Sequence, residues 1–210
     1  MPFERTGAVA GIVLAAGAST RLGRNKLFLE LEGESLLRRA VRRVSNAGLD
    51  PVVVVLGYEA DRAREELAGL RCVPIVNADY VRGVNSSVRA GIMAVSPAPA
   101  AVVVLADMPF VTTTMIAALV DRYRTSAAPL VVSDYGGVNA PPMLYDRSLF
   151  DELMSMQGEG CGKQVVKRHR DEALTVSWPP EGLTDLDVPE DYERVKALVE
   201  ARGETTGHAR

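Results

Sequence analysis

Four aliphatic runs, Val9–Leu14, Val52–Leu56, Val73–Val76 and Val102–Leu105, punctuate the first half of this chain. None alternates apolar with polar, so strands built from them must be buried on both faces, as in a parallel sheet covered by helices. The stretches between the runs are helical in pattern. In Glu34–Ala47, Leu36, Leu37, Ala40, Val41 and Val44 fall on one helix face. Arg38, Arg39, Arg42 and Arg43 take the other face, which is expected to be solvated, with phosphate binding as the minority reading. Glu59–Ala68, Ser86–Val95 (capped by Asn85 or Ser86) and Thr112–Arg124 (capped by Thr112) follow as further helices. Strand and helix in alternation predict an α/β fold of three layers, α/β/α, with a mostly parallel sheet and right-handed crossovers.

The later part reads as a strand at Leu130–Ser133, a turn at Tyr135-Gly136-Gly137, helices at Asp146–Met156 and Lys163–His169, an extended Leu174–Trp178 and a last helix at Pro189–Ala201. From about Gly136 to Trp178 the alternation breaks, and substrate-facing elements are expected there. A chain of 210 residues suits one domain, 1–202, with 203–210 as a frayed tail. With 47% apolar and 24% charged residues it can bury a core without a metal or disulfide staple. Cys72 and Cys161 are too few for a disulfide framework or zinc site. The net charge of −3 argues against polymeric nucleic acid as a partner. Val9–Ala16 is too short to span a membrane, and the polar, basic Gly17–Lys26 that follows is unlike a signal peptide. The expected location is the cytoplasm.

In sheets of this type ligands bind beyond the C-terminal strand ends. The first run leads into Leu14-Ala15-Ala16-Gly17-Ala18-Ser19-Thr20-Arg21-Leu22-Gly23-Arg24-Asn25-Lys26. Its small residues let backbone N–H groups approach an anion, and Arg21, Arg24 and Lys26 add positive charge. It is neither a Walker loop nor a GxGxxG turn, and an ordinary polar loop is the competing reading. The fourth run ends in Ala106-Asp107-Met108-Pro109. A carboxylate at the end of a buried strand is costly without a cation, and Mg²⁺ is the natural one; capping the next helix is the alternative. Asp185 and Asp187 in Thr184–Asp191 share a face if that segment is extended. They could complete a metal site with Asp107, or Asp187 could cap the last helix.

Together LAAGASTRLGRNK at Leu14–Lys26, ADMP at Ala106–Pro109, DLDVPEDY at Asp185–Tyr192 and NADYVRGVNSSVRAGI at Asn77–Ile92 resemble the MobA-like nucleotidyltransferases, and within them the molybdenum cofactor cytidylyltransferases. The resemblance implies a Rossmann-like sheet and transfer of a nucleotide from an NTP to a phosphorylated acceptor. By the same resemblance the backbone of Leu14, Ala15, Ala16 and Gly17 would contact base and ribose, and Arg21 and Lys26 the triphosphate. Asp107 would bind Mg²⁺ with Asp185 or Asp187, while Ser86, Ser87 and Arg89 would lie near the base and reacting phosphates. The guanylyl-transferring relatives tend to have Ala-Gly-Gly and an Asp before the lysine; this chain has Ala15-Ala16-Gly17 and Asn25, which favours CTP over GTP. The implied acceptor is the phosphate of molybdenum-bound molybdopterin, and a molybdoenzyme would receive the product.

The acceptor half departs from the family pattern. Asn139-Ala140-Pro141-Pro142 stands where many members have Gly-His-Pro, and Gly158–Lys163 where many have Gly-Asp-x-Gly-Ala-Arg. Val84-Asn85-Ser86-Ser87 replaces a common Met-Ser-Ser run. Another phosphorylated acceptor (a sugar, a polyol or phospholactate) is therefore one alternative, and a non-catalytic protein that binds nucleotide or delivers cofactor is another. Cys161, among glycines, reads as a buried filler rather than a reactive thiol.

Overall fold

The structure is a computed structural model that describes residues 5–18, 25–155, 161–184 and 189–206. In chain order it forms β1 (Ala10–Ala15), β2 (Glu30–Leu31), β3 (Glu34–Ser35), α1 (Leu36–Asn46), β4 (Val52–Leu56), α2 (Ala60–Glu66), β5 (Val73–Val76) and α3 (Val84–Val95). Then come β6 (Ala100–Leu105), α4 (Thr113–Arg124), β7 (Leu130–Tyr135), β8 (Asn139–Asp146), α5 (Phe150–Ser155), α6 (Cys161–Arg168), β9 (Ala173–Trp178) and α7 (Pro189–Thr206). Seven strands make one sheet in the order β5-β4-β1-β6-β8-β7-β9. The β1–β4, β1–β6, β4–β5 and β7–β9 pairs are parallel, whereas β8 runs antiparallel to both its neighbours.

Three of the four apolar runs lie between two layers; the fourth, β5, is the edge strand of the sheet, and its Val73 and Val76 are exposed, because an edge strand has a neighbour on one side only. Val13 and Ala15, Val52, Val54 and Leu56, and Val102 and Val104 pack against α1, α2 and α4. Their alternate neighbours Ile12 and Leu14, Val53 and Val55, and Ala101 and Val103 pack against α3, α5 and α6. The close approach of α3 requires Gly91, where a Cβ would stand 2.4 Å from Ile12 Cγ2. A third, smaller cluster joins the β2–β3 hairpin to α7 through Leu29, Leu31, Leu36, Phe110, Val195 and Val199. Among the described residues no helix is long and apolar enough to cross a membrane.

Several expectations change. The arginine face of α1 is not simply solvated. Arg39 donates to Leu31 O (2.8 Å) and Glu32 (3.0 Å), and Arg38 to the carbonyls of Glu66 and Ala68. Arg42 alone is largely exposed, and it pairs with Glu34. These guanidiniums meet carbonyls left over at the ends of neighbouring elements, which charge-run reasoning does not see. Asp146 closes β8 and caps the short turn Arg147–Leu149, so α5 begins only at Phe150. α7 runs past Ala201 to Thr206. The side chain of Cys161 and residues 207–210 lie outside those described.

Strand β8 is absent from the sequence reading because it contains Pro141-Pro142. Prolines cannot donate to a ladder and are tolerated in a strand interior only at irregularities. Here the register steps from Val132↔Met143 to Ser133↔Ala140, so both prolines sit in the bulge, with a cis bond between them. Their carbonyls are still used: Ser133 Oγ donates to Pro142 O (2.7 Å) and Tyr135 OH to Pro141 O (3.0 Å).

Candidate active site

The central strands end side by side, and their hydrogen bonding continues beyond the last strand residues. Ala106 N–H donates to Leu14 O (3.1 Å), Tyr58 N–H to Ala16 O (3.1 Å) and Asn77 N–H to Leu56 O (2.8 Å). This ladder brings the Leu14–Gly17 backbone, Asp107 and Asn77 to one edge of the sheet. Leu14, Ala15 and Ala16 are buried; Gly17 is exposed, with nothing within 4 Å of where a Cβ would stand. The Ala16 methyl faces Gly57. A Cβ at Gly57 would lie 2.8 Å from that methyl and 2.7 Å from Tyr80, so the β1 and β4 loops touch only because position 57 is glycine.

Lys26 comes to this edge on a short helical turn, Lys26–Phe28, which Asn25 caps by accepting Leu27 N–H at its Oδ1 (3.1 Å). Lys26 Nζ then lies 2.6 Å from Asp107 Oδ2. Both side chains are mostly buried, at 15% and 23% exposure, so the pair is stronger than a surface bridge. The strand-end carboxylate thus does meet a cation, and helix capping falls to Thr112, whose Oγ1 accepts Met115 N–H (3.2 Å). A carboxylate holding an ammonium is the hard oxygen donor that a divalent ion such as Mg²⁺ uses together with phosphate oxygens, so the donor chemistry fits. Among the described residues no group of three or more His, Cys, Asp or Glu is placed to hold a metal. Arg21, Asp185 and Asp187 lie outside the described residues. Beside Lys26, the buried Asn25 Nδ2 meets no acceptor among the described residues.

The second cluster follows β5. Asn77 Oδ1 accepts Asp79 N–H (3.0 Å), and its Nδ2 donates to Ser86 Oγ (2.8 Å) and Ser87 Oγ (3.0 Å). Neither Asn85 nor Ser86 caps α3. The N-cap is Gly83, and Ser86 Oγ lies 2.8 Å from Gly83 O and 2.9 Å from Asp79 O. Serine in the first turn of a helix here closes the preceding loop instead of capping. Arg89 lies on the exposed face of α3. Asn77 is a functional candidate that the sequence reading passed over, and Arg43 is one that it counted among the solvated arginines of α1. The signal for Asn77 was a polar residue directly after an apolar run, the same signal that flagged Asp107.

Arg43, on α1, donates through Nη1 to Pro109 O (2.7 Å) and Val111 O (2.8 Å), clamping the loop that Asp107 begins. Burial, then the neighbouring Arg39, pulls its guanidinium down to about 10. On the far side of Asp107, β7 and β9 end at the same sheet edge as β6. Trp178 Nε1 donates there to Ser133 Oγ (2.9 Å), and burial pushes Tyr135 up to about 12.

Residues 11–173 match the MobA-like NTP transferase domain. The Bacillus subtilis purine catabolism protein PucB is 29% identical over 89% of this chain and 95% of its own length. Nicotine blue oxidoreductase of Paenarthrobacter nicotinovorans is 31% identical over 77% and 82%. A probable molybdenum cofactor guanylyltransferase of Opitutus terrae is 41% identical over 49% of each chain. Among solved structures, Mycobacterium tuberculosis Rv0371c superposes with a TM-score of 0.81 at 25% identity, covering 92% of this chain and all of that one; the same protein is also known in complex with manganese. Ordered motifs at the ends of β1, β5 and β6, and a match across most of the chain, agree: the chain belongs to the MobA-like NTP transferase family.

Proposed function

We propose that this protein transfers CMP from CTP to the phosphate of molybdenum-bound molybdopterin, releasing pyrophosphate, in the cytoplasm, as one domain over residues 1–202. The observation that carries the reading is the Lys26–Asp107 pair at the joint ends of β1 and β6. In the transfer an acceptor phosphate oxygen attacks the α-phosphorus; the new P–O bond forms as the bond to the β-phosphate bridge breaks, and its electron pair leaves with pyrophosphate. The acceptor is already anionic at neutral pH, so placement and charge neutralisation are what the chain must supply. Lys26, with Arg21, would hold the triphosphate, the Leu14–Gly17 backbone would contact base and ribose, and Ser86, Ser87 and Arg89 would lie near the base and the reacting phosphates. Mg²⁺ on Asp107, with Asp185 or Asp187, would supply charge neutralisation of the phosphates and of the departing pyrophosphate. The manganese complex of Rv0371c supports a divalent ion.

Ala16 and Asn25 support cytosine; the guanylyltransferase relative makes GTP the competitor to measure. That relative also supports molybdopterin as acceptor, and on this reading a molybdoenzyme would receive the product. The test is pyrophosphate release from CTP and Mg²⁺ with molybdenum-bound molybdopterin. Asp107→Asn should lose transfer while its circular dichroism stays native. Near-normal turnover in that variant would remove the metal assignment, and CTP binding without any release in the wild type would favour a binding protein.

A further inference from the structure

Two adjacent serines head α3, and their hydrogen bonding separates them. The Ser86 hydroxyl has one proton and accepts from Asn77, and two carbonyls, Asp79 O at 2.9 Å and Gly83 O at 2.8 Å, compete for that proton. Its one proton is spent within the turn. Ser87 also accepts from Asn77 (3.0 Å) and is 3% exposed, but its own proton meets no acceptor among the described residues. The Asn77 amide cannot turn over, because Oδ1 is held by Asp79 N–H and both Nδ2 protons go to the serines. With one lone pair taken by Asn77 and its proton uncommitted, the Ser87 hydroxyl has its proton to give beyond the cluster.

Ser87 stands one helical turn before Gly91, on the face of α3 that meets Ile12 and Val55. That places it over the ends of β1 and β4, beside the Leu14–Gly17 backbone. We propose that Asn77 is a positioning residue that fixes the Ser87 hydroxyl as a donor to a carbonyl oxygen of the nucleobase, while Ser86 serves to close the turn. The inference rests on the nucleotide-transfer reading above and adds to it a direction of hydrogen bonding and a division of labour.

Equilibrium binding of CTP to the whole chain tests it without turnover. Ser87→Ala should weaken binding about tenfold, the worth of one hydrogen bond with a buried partner left unsatisfied, and Ser87→Thr, which keeps the hydroxyl, should recover most of it. Ser86→Ala should raise Kd less and lower the melting temperature more. Asn77→Asp keeps the Asp79 contact but turns the donor into an acceptor, drawing the Ser87 proton inward; it should weaken binding about as much as Ser87→Ala, and the double variant should be no worse than either. Equal additive losses in the double variant, or an unchanged Kd in Ser87→Ala, would overturn the proposal. Wild-type protein that binds no nucleoside triphosphate would instead overturn the parent reading.

Discussion

Arg43 gives a prediction in which activity and stability part company. Its Nη1 bridges Pro109 O and Val111 O, and no sequence motif marks it. Lowering the guanidinium from its ordinary value to about 10 corresponds, at about 1.4 kcal/mol per pH unit, to a charging cost of about 3 kcal/mol in the fold. The solvent that reaches the partly exposed side chain trims that figure. Against it stand two hydrogen bonds from a charged donor, about 1.5–3 kcal/mol each. The two nearly cancel, so Arg43→Met, which retains much of the aliphatic stem, should lose only about 0–3 kcal/mol of stability. For a chain this size that is a fall in Tm of no more than about 10 °C. The loop from Asp107 to Val111, however, loses its tie to α1. Misplacing a group by about 1 Å can cost about a hundredfold in rate. Pyrophosphate release should therefore fall far more than the melting curve suggests, and the metal concentration for half-maximal rate should rise. Arg43→Lys keeps a cation able to meet one carbonyl and should recover part of the rate. If Arg43→Met melts as expected but keeps wild-type rate and metal dependence, the buried Met108, Phe110 and Val111 alone place Asp107 and the clamp is only structural.

Gly91→Ala would drive a methyl to 2.4 Å from Ile12 Cγ2 and 3.3 Å from Val55 Cγ2; overpacking of this kind costs about 1–3 kcal/mol, and a urea midpoint unchanged or raised would refute the tight α3–β1 contact. Ala16→Gly opens space against Gly57 and Tyr80 and should raise the specificity constant for GTP relative to CTP by an amount within the roughly 1–3 kcal/mol range of pocket-size effects; an unchanged ratio would sink the argument. The Glu152 hydrogen bond at 2.7 Å raises His169 above its usual 6.5. Burial works to raise Glu152, but bonds from His169 and Arg168 outweigh it and hold that carboxyl below 4.5. The His169 contribution is thus complete below 6.5 and lost as pH climbs through the raised folded value, while the Glu152 contribution is complete above 4.5 and lost as pH falls through its lowered one. Urea midpoints across pH should show both losses in the wild type; Glu152→Gln should abolish the acid-side loss and leave only the smaller alkaline-side loss that the His169–Glu172 contact sustains, and profiles identical to wild type would refute the coupling.

What was legible in the sequence follows from what each residue type is asked to do. A strand covered on both faces has to be apolar throughout, so β1, β4 and β6 could be read directly, and Asp107 stood out because it ends such a run. Thr112 was legible as a cap because its role is local, a bond to Met115 N–H three residues on. Ser86 failed by the same local rule, because a residue nine positions earlier, Asn77, recruits its hydroxyl. The arginines of α1 failed for a related reason. Helical periodicity says which face a side chain leaves from, but a guanidinium is long enough to reach carbonyls of other elements, and those partners are set by tertiary structure. The Lys26–Asp107 contact was legible only as two separate charges at strand ends; the sheet order, with β1 beside β6, makes them a pair.

The acceptor side shows how a departure from a family pattern can be structural in detail and still bear on substrate. Asn139–Pro142 stood out only as a departure from the family pattern, yet it is the start of β8, and its prolines are bound into the sheet. Ser133 is fully buried; its hydroxyl accepts from Trp178 and donates to Pro142 O, and Tyr135 holds Pro141 O. One side-chain chain thereby joins β8, β7 and β9 at the edge where β6 delivers Asp107. A histidine at position 141 would bring back one backbone donor inside the bulge, where the register step interrupts the ladder. The altered residues therefore come as a set with Ser133, Tyr135 and Trp178, and exchanging Ala140-Pro141-Pro142 alone for the common Gly-His-Pro should destabilise the β7–β8 ladder before it alters acceptor choice. A variant with native stability and a changed acceptor would show instead that the segment contacts the acceptor directly, and that the Ser133–Trp178 link is incidental to it.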